Sequence, residues 1–166
     1  MLKINFNKIL LYTIVIFIIF VLDRLSKLYI LNLAETNSIV DVYINSFLNF
    51  YLVWNKGIGF GLFSFDQNII YNFITLLIIL INILIIFMIY KSYDFRVYFL
   101  LMVLGGSLGN LFDRIYFRAV PDFIDLHYMN FHWFIFNVAD IFISIGIICL
   151  ILAEIFLNKD IKNEKK

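Results

Sequence analysis

The sequence predicts a membrane all-α fold: four transmembrane helices, both termini cytoplasmic, and a small extracytoplasmic β-sheet between helices 1 and 2. Three observations carry this. Mean hydropathy is +0.95, and the 166 residues are 63% hydrophobic and 15% charged, with 20 Phe and 10 Tyr, more apolar surface than one soluble core of this size can hide. Four stretches, at about 9–31, 69–90, 97–112 and 136–157, approach or reach the ~20 apolar residues that cross a ~30 Å hydrocarbon layer as helix. Basic residues are biased: with the N-terminus inside, Lys3, Lys8, Lys91, Arg96, Lys159, Lys162, Lys165 and Lys166 lie in the cytoplasm, as the positive-inside rule asks. Arg24, Lys27, Lys56, Arg114 and Arg118 then lie outside, three of them in polar clusters.

Taken in order, Lys3 and Lys8 ahead of an apolar run imitate a cleavable signal peptide. The run meets Asp23 and Arg24 and lacks an A-x-A-like site, so it reads as a retained first helix. The outer segment 32–68 holds two stretches rich in β-branched and aromatic residues, 39–44 and 47–54, broken at Asn45 and Ser46. They predict a sheet lying on the membrane surface, where Tyr and Trp are at home. The middle of the second span is apolar apart from Asn82, and a tight inner turn at 91–95 leads to the third, which is rich in glycine. A second outer segment, 113–135, carries the only proline, and the fourth span holds Ser144 and the sole cysteine, Cys149. One thiol forms no internal disulfide. The basic tail 158–166 is expected to be disordered. With no linker or repeat, residues 1–166 read as a single integral membrane domain. Scattered basic residues give no nucleic-acid face.

Polar clusters crowd the outer side. Asp23 and Lys27 are four apart and share a helix face, either as an end-of-helix ion pair or as support for a site. Asn55-Lys56-Gly57-Ile58-Gly59-Phe60-Gly61 permits positive φ and close backbone approach, but lacks the terminal Lys-Ser/Thr of a phosphate loop. Gly105 and Gly109 are spaced to admit a second helix, of the same chain or of another copy; a monomer is expected. Asn110 and Arg114, four apart, can present donors to a bound carbonyl, carboxylate or phosphate. Gly105-Gly106-Ser107-Leu108-Gly109 satisfies G-x-S-x-G, yet it interrupts a membrane span rather than forming a strand-to-helix elbow.

The sharpest pair is Asp122, directly after Pro121, and Asp140, three residues beyond Asn137. On a helix starting near Phe136, Asn137 and Asp140 face one way about a turn below the interface. A carboxylate there needs a partner, a proton or a wet cavity. Two close carboxyls share one proton, and such a pair can deprotonate water while polarising a carbonyl. Spacing leaves open whether the two meet or each pairs with an arginine. His127 and His132, five apart in a loop near Asp125, lack metal-ligand spacing; no metal or cofactor is expected.

In order and spacing, Asp23-Arg-Leu-Ser-Lys27, Asn55-x-Gly57-x-x-Phe60-Gly61, Gly105-Gly106-x-x-Gly109-Asn110-x-x-Asp113-Arg114, Val120-x-Asp122-Phe123 and Phe136-Asn137-x-Ala139-Asp140 resemble the five motifs of the lipoprotein signal peptidases, or type II signal peptidases. The resemblance spans nearly the whole chain. It implies an aspartyl endopeptidase of the bacterial inner membrane, active near the extracytoplasmic face. Such an enzyme removes signal peptides from diacylglyceryl-modified prolipoproteins by cutting before the lipidated cysteine. Asp122 and Asp140 would be the catalytic dyad. Asp23, Lys27, Asn55, Gly57, Asn110, Arg114, Asn137 and Ala139 would hold the substrate or support the dyad. The outer sheet would be a cradle clasping the signal peptide, with the substrate's lipid chains left in the bilayer. Two departures stand out: Gly57-Ile58-Gly59-Phe60 in place of Gly-Ala-Ala-Phe, and Pro121 where a small aliphatic is common. A small proton- or ion-coupled transporter is the alternative from another class, but it needs polar residues at several depths, and the middle of spans two and four is almost wholly apolar apart from Asn82 and Ser144. A non-catalytic scaffold would tolerate Asp140→Asn.

Overall fold

A computed structural model describes residues 6–36, 39–57, 68–92, 94–129 and 131–163. Four helices, α1 (Phe6–Thr36), α2 (Asn68–Lys91), α3 (Arg96–Phe117) and α4 (Val138–Asn163), alternate with strands β1 (Asp41–Asn45) and β2 (Leu48–Asn55) after α1 and β3 (Val120–Tyr128) and β4 (Phe131–Phe136) after α3. Three helical stretches, Phe6–Thr36, Tyr71–Lys91 and Val138–Phe156, are long and apolar enough to cross a membrane. Many of their leucines, isoleucines and phenylalanines are exposed, as Phe17, Phe73 and Phe156 are, which water would penalise and lipid does not.

The helix α3 is different because the charged groups of its C-terminal half face inward. Asp113 and Arg114 are buried, whereas Ile115 and Tyr116 on the other side are exposed. It packs against α1, α2 and α4, and its glycines set the approach. A Cβ on Gly105 would lie 2.9 Å from Ile19 Cβ and one on Gly109 2.5 Å from Asp23 Oδ2, so both face α1. One on Gly106 would lie 2.5 Å from the Ala139 carbonyl of α4. The four-residue glycine spacing thus seats a helix of the same chain.

The sheet is antiparallel in the order β1-β2-β3-β4, and here the sequence expectation needs correction. Only half of it lies between the first two helices; β3 and β4 come from 113–135 and its continuation, where no strand was expected. Asp122, Asp125 and His127 hide a buried strand whose remaining residues are largely apolar, and Pro121 argues locally against a central one. The register removes that objection. Pro121 pairs with Trp54 of β2, while β4 joins β3 only from Ile124 onward, so the missing N–H has an open edge to face. Ile30, Val40 and Phe123 form a buried cluster beneath the sheet, with Phe50 and Val138 against it, fastening the sheet to the C-terminal part of α1. The helix α4 starts at Val138 and continues to Asn163, well into the tail expected to be disordered.

Candidate active site

The N-terminal end of α4 begins with a reciprocal cap. Asn137 stands just before the helix rather than inside it; its Oδ1 accepts from Asp140 N at 3.1 Å, and its own N–H donates to Asp140 Oδ2 at 3.1 Å. This is the capping-box arrangement with Asn at the cap and Asp at the third helical position. The same Asn137 reaches the neighbouring strand: its Nδ2 donates to Asp122 Oδ1 at 2.6 Å. One buried residue therefore touches both carboxylates, Asp122 on β3 with its side-chain amide and Asp140 on α4 with its backbone N–H.

Each acid has a second donor. Asn55, the last residue of β2, donates from Nδ2 to Asp122 Oδ2 at 2.9 Å, while its Oδ1 accepts from Gly57 N at 2.9 Å and holds the turn that follows. Asn110 of α3 donates to Asp140 Oδ1 at 2.8 Å. Burial and then the nearby Asp140 charge push the Asp122 carboxyl up to about 7, against the opposing pull of Asn55, Asn137 and the more distant Lys27 charge. A carboxyl that still holds a proton near neutral pH beside a second carboxylate can serve acid–base chemistry.

Below the acids lies a charge-neutral quartet. Lys27 Nζ donates to Asp23 Oδ2 at 2.9 Å, Asp113 Oδ2 at 2.7 Å and Asn110 Oδ1 at 2.9 Å, which uses its three protons. Arg24 also pairs with Asp23 and Asp113, its guanidinium 4.9 Å from the centroid of the Phe112 ring. Asp23 Oδ1 accepts from Ala139 N at 3.0 Å, so the cluster holds the first turn of α4 directly. Arg24 and Asp113 were not expected among the site residues. The signal was present, since Asp113 lies three residues after Asn110 and Arg24 beside Asp23, but it takes the α1–α3 contact to join them.

Arg114 donates from Nη2 to the Gly57 carbonyl and faces the Tyr71 ring. Its buried Nε and Nη1 have no partner among the described residues. It lines a cavity of about 380 Å³ whose polar end carries Asn55, Asn110, Asp122, Asn137 and Asp140 and whose wall is Ile74, Leu77, Ile78 and Ile81 of α2 with Ile143 of α4. All ten expected site residues thus lie in or directly behind one site: Asp122, Asp140, Asn55, Asn110, Arg114 and Asn137 around the cavity, and Asp23, Lys27, Gly57 and Ala139 bonded to them or behind them. Ser107 also borders the cavity, inside a continuous helix rather than on an elbow. Ile58 and Gly59 lie outside the described residues.

A family model described as "Signal peptidase (SPase) II" matches residues 15–156. The chain is 56% identical over 163 residues to a lipoprotein signal peptidase of Pelagibacter ubique (strain HTCC1062), covering 98% of each. It is 42% identical over 148 residues to one of Aquifex aeolicus (strain VF5), covering 87% of this chain and 86% of that one. A solved bacterial membrane enzyme, determined by the in meso method at 2.3 Å resolution, superposes with a TM-score of 0.77 at 28% identity over 93% of this chain and 92% of the other. With three helices of membrane-spanning length, the chain is a multi-pass membrane protein.

Proposed function

The chain belongs to the signal peptidase II family, and from that premise we propose that it is an aspartyl endopeptidase using Asp122 and Asp140 to hydrolyse the bond before the lipidated cysteine of diacylglyceryl-prolipoproteins. The observation that carries this is the two carboxylates on one cavity, tied to the same Asn137. In the resting state Asp122 keeps the proton, consistent with its raised pKa of about 7, and Asp140, at the positive end of α4, is the base. Water loses a proton to Asp140 as its oxygen attacks the scissile carbonyl. Asp122 gives its proton to the carbonyl oxygen, forming a tetrahedral diol. Return of a proton to the amide nitrogen lets the C–N bond break. No covalent enzyme intermediate forms.

Several features support the substrate assignment. The isoleucine and leucine wall suits the apolar part of a signal peptide, and the free donors of Arg114 suit its backbone carbonyls. The outer sheet would clasp the extended segment as a cradle. The proposed setting is the bacterial inner membrane, with α3 as the fourth span, both termini cytoplasmic, and the acids near the extracytoplasmic face where water enters. All its charges except Arg96 at the opposite end from the acids lie inside, so α3 can offer lipid an apolar side. One domain acting as a monomer suffices, because every group named comes from one chain.

Cleavage of a diacylglyceryl-modified prolipoprotein by the purified protein in detergent tests this. Wild type and Ser107→Ala are expected to cut, and Asp122→Asn and Asp140→Asn to leave the substrate intact while inserting normally. Wild-type-like cleavage by either aspartate variant removes that residue from the reaction. Intact substrate with folded wild type would send the question to transport assays.

A further inference from the structure

A second cluster lies on the outer hairpin, apart from the cavity. His127 and His132, expected in a loop, are instead directly paired across β3 and β4, and their rings stack with centroids 5.3 Å apart. Asp125 is two residues before His127 on the same strand, so both side chains leave the same face. Its carboxylate accepts from His132 Nδ1 at 2.8 Å and stands 3.7 Å from His127 Nδ1. One ligand atom from each of the three residues lies within 4.8 Å of the others.

We propose that Asp125, His127 and His132 bind one late first-row divalent cation of the zinc class, pinning β4 to β3. A histidine–aspartate hydrogen bond accounts for His132 alone. It leaves His127 Nδ1 buried with no hydrogen-bond partner among the described residues, although the side chain is only 10% exposed. A buried ring nitrogen without a hydrogen bond, within 4.8 Å of a carboxylate oxygen and a second imidazole nitrogen, is placed as a metal ligand would be. In a tetrahedral site with metal–nitrogen and metal–oxygen bonds near 2.0–2.2 Å, ligand atoms stand about 3.3–3.5 Å apart; the separations of 2.8 and 3.7 Å lie on either side of that range. Reaching it needs shifts of about half an ångström or less: His132, whose side chain is 60% exposed, moves away from Asp125, and His127 moves toward it. Two imidazoles and one carboxylate favour zinc and its transition-metal neighbours over magnesium or calcium, which take mainly oxygen. The fourth position falls to water on the open side of the hairpin. Sequence spacing missed the set because two ligands come from one strand and the third from its partner.

The test uses full-length protein without a polyhistidine tag, stripped with a chelator and titrated in detergent with Co²⁺, read by its visible d–d absorption, then with Zn²⁺ to displace it. One saturable equivalent is expected. His132→Ala and His127→Ala should each weaken it about tenfold or more, at least the effect of losing an outer-sphere partner. His132 is exposed enough that its variant tests the site even where His127→Ala fails to fold. Absence of a saturable equivalent, or unchanged binding in folded His132→Ala, would overturn the proposal. Both readouts are taken without substrate and stay independent of peptidase activity.

Discussion

Removing one of the two amides that hold Asp122 tests whether this residue carries the reactive proton. Asn55 donates to Asp122 Oδ2 at 2.9 Å, and this bond favours the ionised carboxylate, opposing the burial and Asp140 charge that raise it to about 7. A hydrogen bond to a charged group contributes about 1.5–3 kcal/mol, which is roughly 1–2 pKa units at 1.36 kcal/mol each. In Asn55→Ala the Asp122 proton is therefore held more tightly. If the dyad works with Asp122 protonated, kcat/KM of wild type falls above about pH 7 as that proton is lost. The variant's falling limb should move upward by about one unit, the low end of the range, because water can enter and donate in place of the amide. The assay is the pH dependence of kcat/KM for a lipidated peptide carrying a fluorescence quencher pair, since this parameter reports the free enzyme. A limb that stays put or moves to lower pH refutes the assignment of the proton to Asp122, whatever happens to the absolute rate.

Other perturbations test the frame. Gly109→Ala places a methyl 2.5 Å from Asp23 Oδ2 and is expected to cost about 1–3 kcal/mol by overpacking, seen as a lower melting temperature. Lys27→Met leaves Asp23 and Asp113 with Arg24 alone and should cost about 3–5 kcal/mol, the usual loss when one partner of a buried ion cluster goes. Lys27→Arg should not restore it, because a planar fork cannot reproduce three bonds from one nitrogen; melting curves of both variants check this. Asn82, buried in α2 with neither polar atom partnered among the described residues, offers the opposite sign: Asn82→Leu should stabilise by about 1–3 kcal/mol, with cleavage unchanged.

How much was legible depends on the range of each interaction. Asp23 and Lys27 were readable as a pair because four residues make one helical turn, and they do bond. The Gly105 and Gly109 spacing announced a close helix, which is α1. The hydropathy that marks three long helices is likewise local. What stayed hidden depends on pairing between distant segments. Strand β3 reads poorly because Pro121 and three polar residues break its apolar run, and only its register with β2 and β4 explains them. Arg24 and Asp113 had no place in the expected site until α1 and α3 made them part of one neutral cluster. The Asn137-x-x-Asp140 cap was legible by its spacing, and was read instead as two positions on a helix face.

The raised carboxyl also carries a cost that the surrounding frame must offset. In the folded protein Asp122 holds its proton up to about pH 7, whereas an unfolded aspartate releases it near 3.9. Between those values the folded state binds more protons, so this group makes stability fall as pH rises. From pH 5 to pH 8 the loss integrates to about 3 kcal/mol, a substantial share of a typical 5–15 kcal/mol total. Asp122→Asn should lack this slope. Its amide must face donors from both Asn55 and Asn137, which costs stability at every pH, but that penalty cancels when each protein is compared with itself across pH. Equilibrium unfolding in mixed micelles should therefore show wild type losing about 3 kcal/mol more than the variant between pH 5 and pH 8. Parallel pH dependences would mean that Asp122 is ionised across this range, and the protonated-acid step would have to be assigned elsewhere.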